Sequence, residues 1–218
     1  MMTRLKSFAK TFNFYKLFWL FFIASFLGVV LESIWCILTR GGYESRTGLI
    51  YGPFNLVYGF GALSMTICLQ PLAHKRDKII FLGGFLVGSL FEYLCSFLQE
   101  QFLGTISWDY SDFWFNINGK VNLLYSCFWG LLAIAWIRWL LPKISNWIES
   151  IPRSYRIPLS WILVIFMVFN VGISYFALHR QAERRELIPP DNSFEVWLDL
   201  VYPDERLAKI YPNMIYLE

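Results

Sequence analysis

Five stretches of the sequence, each about 20 residues long, carry almost nothing but apolar side chains: 17–39, 53–73, 79–98, 121–141 and 158–178. A helix needs about 20 residues at ~1.5 Å each to cross the hydrocarbon of a bilayer. In lipid a spanning segment must also satisfy its own backbone hydrogen bonds. The runs therefore predict an all-α fold, a polytopic transmembrane bundle of about five spans. Charge agrees: 16% of residues are Asp, Glu, Lys or Arg, against about a quarter in soluble domains. Ten Trp, twelve Tyr and 21 Phe exclude a disordered tail. The formal charge of +3 arises from basic clusters at span ends and not from a phosphate-binding face, so no nucleic acid partner is implied.

The first run follows Arg4, Lys6, Lys10 and Lys16, like a secretory leader. It is too long for one, and no A-x-A site follows, so it is expected to stay as a span. Lys and Arg set the orientation. Eleven fall before the first span, in 74–78 and in 138–156, against Arg40, Arg46 and Lys120 in the other loops. The amino terminus is thus expected in the cytoplasm, and five spans leave the carboxyl tail outside. Arg180, Arg184 and Arg185, just after the fifth run, count against that placement. The chain divides into a basic terminus (1–16), a four-span core (17–73 and 79–141), a cytoplasmic linker with the fifth span (142–178) and a polar tail (179–218). In the tail, 191–202 has helical spacing of Phe194, Trp197, Leu198 and Val201 with Asp191, Asn192 or Ser193 as N-cap. It either lies on the membrane interface or belongs to a loosely ordered tail. Cys36, Cys68, Cys95 and Cys127 sit one per run, with no C-x-x-C; they read as small apolar residues, and neither a metal site nor a cofactor is expected.

The core repeats itself. Gly28 stands four residues before Glu32 in the first run and Gly88 four before Glu92 in the third. The second and fourth open on G-x-x-N-L-[VL]-Y-[GS], with Gly52, Asn55 and Tyr58 answered by Gly119, Asn122 and Tyr125. Both halves start on the cytoplasmic side, so the pattern predicts a parallel internal repeat of two helical hairpins, related by an axis along the membrane normal.

An acid inside a span costs about 2.5–3.5 kcal/mol, so it must face protein or water. Glu32 and Glu92 fall at equivalent depths, with Asn55, Asn122, Tyr58 and Tyr125 near them by symmetry. The expectation is an outward-opening acidic pocket binding a proton, a cation or a cationic substrate group. The alternative is that each glutamate only joins helices through an amide or a tyrosine hydroxyl. The segment 99–120 is too aromatic for an aqueous loop. Trp108, Asp109, Tyr110, Asn116 and Lys120, with Arg46 of the first loop, form a candidate lid or gate, fixed by an ion pair of Asp109 with Arg46 or Lys120. The other reading is interfacial anchoring by aromatics.

Gly28 and Glu32, Arg46 through Leu63, Glu92 and Tyr93, Trp108 through Ser111, Phe115 through Leu123, and Ser126, Trp129 and Gly130 together resemble a bacterial family, the ABC-transporter type IV permeases of CmpB type. The likeness covers about residues 17–140; Lys120 stands where the family more often has Arg, which keeps the charge and loses the bidentate geometry. The resemblance implies a permease of the bacterial cell membrane without an established substrate. The sequence has no G-x-x-x-x-G-K-[ST], so a separate ATPase subunit would have to dock on 74–78 and on 142–157, where 142–152 is either a coupling helix or a surface-lying linker. Membrane lipids are the other expected partners, and a homo-oligomer stays open.

Three functions compete: a transport subunit using Glu32 and Glu92, a membrane enzyme, and a non-enzymatic lipid-binding or membrane-protein assembly factor. Against the enzyme, no G-x-S-x-G, H-E-x-x-H or phosphate motif is visible, and His74 and His179 lie in a basic loop and at a span end.

Overall fold

The computed structural model describes residues 13–216. The basic cluster Arg4, Lys6 and Lys10 lies outside the described residues. Helix α1 (Phe14–Arg40) starts where Asn13 accepts the Lys16 N–H at 3.0 Å, and it stops at Gly41, whose φ of 73° donates its N–H back to Ile37. Helix α2 (Leu56–Leu69) runs into a 3₁₀ turn, Gln70–Leu72. Helix α3 (Asp77–Leu103) ends on a second left-handed glycine, Gly104. Helix α4 (Leu123–Ala135) continues through a π-helical turn, Trp136–Leu140, into α5 (Leu141–Ser150). Then come α6 (Arg153–Arg185), α7 (Ser193–Val201) and α8 (Asp204–Ile210). The strands are two residues each: β1 (Thr105–Ile106) pairs antiparallel with β4 (Ile215–Tyr216), and β2 (Asn116–Ile117) with β3 (Val121–Asn122).

Four helices are long and apolar enough to cross a membrane: Phe14–Arg40, Asp77–Leu103, Leu123–Ser150 and Arg153–Arg185. The second predicted span, 53–73, is a shorter apolar helix, Leu56–Leu72, about 25 Å long at ~1.5 Å per residue. Asn55 caps it late and Pro71 turns its last residues into 3₁₀ geometry. The fourth span does not end at 141. Pro142 lacks an N–H, and the wider π turn before it, in which Leu141 donates to Trp136, carries the helix on to Ser150. The expected linker 142–157 thus shrinks to Ile151 and Pro152, extended because Ile151 precedes a proline.

Apolar side chains cover the outside as well as filling the core, and polar groups inside are used between helices. Leu82, Leu86, Leu90 and Leu94 recur every fourth residue of α3 and are exposed, the face a helix offers to lipid. Inside, Trp19 Nε1 donates to Ser160 Oγ and Trp136 Nε1 to Thr66 Oγ1, both at 2.8 Å, and Ser89 Oγ to Ser126 Oγ at 2.6 Å. Such bonds join helices where water is absent. The main core, around Leu20, Leu69, Ile80, Ala133 and Ile137, gathers α1 to α5. At that end Lys16 pairs with Glu149, and Arg138 reaches Asp77 and the carbonyls of Ala73 and Lys75.

The tail packs against the bundle. Its helix α7, capped by Asn192, packs with α8 and α6 around Ile173, Leu198, Tyr202 and Leu207, and Ile50 and Tyr51 of the first loop join them. Tyr51 and Tyr202 share a 2.6 Å hydroxyl contact, and Ser45 and Thr47 both donate to the Ile210 carbonyl. Arg180, 2% exposed, is held by Asp199, Glu183 and the Ile188 carbonyl, and Arg184 by Asp199 and Asp204. The tail, the loop after α1 and the loop after α3 therefore share one end of the bundle.

Candidate functional site

Small residues bring α3 and α4 together. A Cβ on Gly84 would overlap Ala133, and one on Gly88 the Trp129 side chain. With Trp129 laid across Gly88, its indole N–H reaches Glu92 Oε2 at 3.1 Å, one turn further along α3. The second carboxylate oxygen accepts the Tyr110 hydroxyl at 2.9 Å. Glu92 is 7% exposed, and both of its oxygens are bonded, as a buried acid requires. Tyr110 in turn stacks on Tyr125, with ring centroids 4.7 Å apart.

Local backbone geometry delivers Tyr110 from its loop. Asn118 and Gly119 both have positive φ, 53° and 66°, and Lys120 N–H closes the turn on the Ile117 carbonyl at 3.0 Å. This is the Asn-Gly turn that matches the twist of a hairpin. Tyr110 N–H donates to the Gly119 carbonyl at 2.8 Å, and Trp108 Nε1 to the Lys120 carbonyl at 3.1 Å, so the segment 108–110 lies along the hairpin. Asp109 accepts the Ser111 hydroxyl and N–H, at 2.6 and 2.8 Å, and these bonds hold its carboxyl below the usual carboxylate range. Burial pushes the Tyr110 phenol far above its ordinary value; the Glu92 charge and its hydrogen bond, Tyr125 and the Glu32 charge add to this. Tyr110 thus stays a donor at physiological pH.

In the first half, Arg46 holds Glu32, with Nε 3.6 Å from Oε1, and also bonds Glu44 at 2.7 Å and the Cys36 sulfur at 3.1 Å. Arg40 meets the same Glu44. Asn55 fixes this loop: its Oδ1 caps α2 through the Val57 N–H at 3.0 Å, and its Nδ2 donates to the Arg46 carbonyl at 3.2 Å. Asn122 does likewise, accepting the Leu124 N–H at 2.8 Å and donating to the Trp114 carbonyl at 3.1 Å.

Glu92, Tyr110 and Tyr125 therefore meet in one cluster, while Glu32 and Arg46 meet in another. Asn55 and Asn122 spend both side-chain atoms on backbone, as helix caps and loop anchors. Tyr58 packs against Gly28, where a Cβ would overlap its ring. Asn116 braces the hairpin, donating to the Phe113 carbonyl at 2.8 Å and accepting the Gly119 N–H at 3.0 Å. The expected ion pair of Asp109 is replaced: its carboxylate accepts from Ser111, Lys120 bonds Glu100, and Arg46 bonds Glu32 and Glu44 of its own half. Trp129, Glu44 and Glu100 are site residues that sequence reasoning missed. Trp129 stands one turn after Tyr125 on α4, a helical spacing that pointed to the same face. Among the described residues no group of three or more His, Cys, Asp or Glu is placed to hold a metal ion.

A family model described as "Putative ABC-transporter type IV" matches residues 19–175. That range holds both glutamates, both asparagine caps and the hairpin loop, whereas α7, α8 and β4 lie beyond it. No curated protein and no solved structure matches the chain.

Proposed function

The chain belongs to the putative ABC-transporter type IV family, and from that membership we propose that it is the membrane-embedded permease subunit of a transporter, with an acidic site near the outer ends of α1 and α3. In this reading Glu32 and Glu92 bind a proton, a cation or a cationic substrate group, and Arg46 and Tyr110 withdraw to admit it. The observation that carries it is Tyr110, which belongs to a loop yet donates to Glu92 inside a span. Two bonded acids alone would be helix glue. A loop residue as one of the two donors makes the bond breakable without separating the helices.

Five crossings and a parallel repeat belong to the same proposal. They are supported by the matching backbone roles of Gly52 and Gly119, both with positive φ, and of Asn55 and Asn122, both N-caps anchoring the preceding loop. With Arg180 and Arg184 bound to Asp199 and Asp204, the charges after α6 are structural, and the loop count favours a cytoplasmic amino terminus in a bacterial cell membrane. An ATPase would then be a separate subunit meeting the 74–78 turn and α5.

A second reading, lipid binding or assembly of another membrane protein, is favoured by the hairpin tip. There Trp114 is 87% exposed, and Phe115 is exposed with a φ of 58°. Reconstitution separates the two. Glu32→Gln or Glu92→Gln abolishes a pH- or ion-dependent flux while the protein still inserts; unchanged flux in both would sink the transport reading. Loss of a copurifying partner on Trp114→Ala with Phe115→Ala would favour the second.

A further inference from the structure

One turn beyond Glu92 on α3 stands Ser96, and one turn beyond that Glu100; the spacing puts all three on one helix face. A cavity of about 160 Å³ opens there, lined by Ser96, Glu100, Trp108, Asp109, Asn118 and Lys120 among others. Ser96 is only 2% exposed, and its hydroxyl makes no hydrogen bond among the described residues. The Ser96 hydroxyl opens on the cavity and is available to accept from a group bound there. The lining carries two carboxylates against a single ammonium. That ammonium, from Lys120, sits directly on Glu100.

We propose that this cavity binds a primary ammonium group and is the outer entrance to Glu92, with Lys120 as a tethered occupant that the ligand displaces. The inference rests on the reading of Glu92 as a cation site, and it names the class of cation. An ammonium has three donors, and the cavity offers the Glu100 and Asp109 carboxylates and the Ser96 hydroxyl as acceptors. Trp108 supplies an aromatic wall of the kind cations favour. Lys120 already demonstrates that an ammonium fits. Its own occupancy leaves one carboxylate charge uncompensated, and Ser96 connects the cavity to the turn that bears Glu92. The same ammonium could belong to a free amine or to a lipid headgroup.

The test is ligand binding to the full chain in phosphatidylcholine nanodiscs, read by thermal stability and titration calorimetry. Methylammonium is the probe, and sodium and tetramethylammonium are the controls. Methylammonium binds the wild type and the controls do not. Lys120→Gln, which vacates Glu100, tightens binding about tenfold, the scale of one charge-assisted hydrogen bond; Glu100→Gln weakens it by a similar factor. A merely structural Lys120–Glu100 pair would lose stability in both variants without any change in ligand response. Nanodiscs containing phosphatidylethanolamine form the second arm. Stabilisation there, matched by loss of the effect in Glu100→Gln, assigns the ammonium to a lipid headgroup. No ammonium-specific effect in either arm, in the wild type and in Lys120→Gln alike, overturns the inference, even if Glu92→Gln still abolishes flux. Specific amine binding with flux untouched by Glu92→Gln upholds the site and overturns the transport reading instead.

Discussion

The Tyr110 hydroxyl lies 2.9 Å from Glu92 Oε1 and donates to it, so a residue of the loop between α3 and α4 closes directly on an acid within the bundle. Trp129 supplies the second donor from α4. The two bonds differ in kind, because one can be released by moving a loop and the other only by moving a helix.

Tyr110→Phe and Trp129→Phe should each lower stability by about 1–3 kcal/mol, the cost of leaving a buried acceptor short of a donor. Because they share Glu92, the double variant should depart from additivity by about 0.5 kcal/mol or more. Unfolding of the four proteins in mild detergent checks this, and strict additivity would mean that the bonds are independent.

The asparagine caps make a paired prediction. Asn55→Ala and Asn122→Ala should each cost about 0.5–2 kcal/mol, the usual loss of an N-cap. Asn122→Asp should recover the cap, since Oδ1 is kept, while the bond to the Trp114 carbonyl is lost. Hydrogen exchange over 113–117 should then rise in Asn122→Asp although the helix stays intact.

Glycine substitutions should split in sign. Gly28→Ala and Gly88→Ala force a methyl group into Tyr58 and Trp129 and should destabilise by about 1–3 kcal/mol. Gly172→Ala on α6 meets nothing within 4 Å and should gain about 0.5–1 kcal/mol from helix propensity. Thermal unfolding of the three variants distinguishes close helix approach from a general intolerance of side chains.

The carboxyl-terminal module should detach in acid. Burial alone would raise the Asp199 carboxyl, but hydrogen bonds from Arg180 and Arg184 outweigh it and hold the group below the usual carboxylate range. Its unfolded value is about 3.9. The stabilisation is therefore fully present above that pH and is lost as pH falls through the lower folded value. Arg180→Ala should imitate this in part at neutral pH, at about 1–3 kcal/mol, because Asp199 and Glu183 lose a charged donor while Arg184 still holds Asp199. Proteolysis within 186–216, measured against pH and in the variant, reads both effects.

The helices were legible because lipid writes itself into the sequence: apolar length, a flanking charge bias and few polar residues at depth. Glu32 and Glu92 stood out for the same reason, since an acid in such a run is costly. Two of their partners, Arg46 and Tyr110, were legible as lid residues, whereas the third was not. Trp129 looks like any other aromatic in an apolar span, and only the close approach at Gly88 shows that its N–H points at Glu92. The hairpin was announced by Asn118-Gly119, a signal that the surrounding aromatics of 99–120 obscured. The late start of α2 was harder to foresee, because Pro53 and Phe54 are as apolar as the helix that follows them. The tail helix was legible from the spacing of Phe194, Trp197, Leu198 and Val201 behind Asn192, but its docking was not. Its order comes from Asp199 and Asp204 matching Arg180 and Arg184, a pairing visible only once α6 brings them within reach.

The pairing of Thr105 with Tyr216 has a consequence in time. Every helix that carries Glu32, Glu92 or their donors precedes Tyr216 in the chain and is synthesised before it. Throughout that interval the loops after α1 and α3 lack the contacts made by Ile210 and Ile215. That end of the bundle is thus closed by a segment translated only after all the helices it covers.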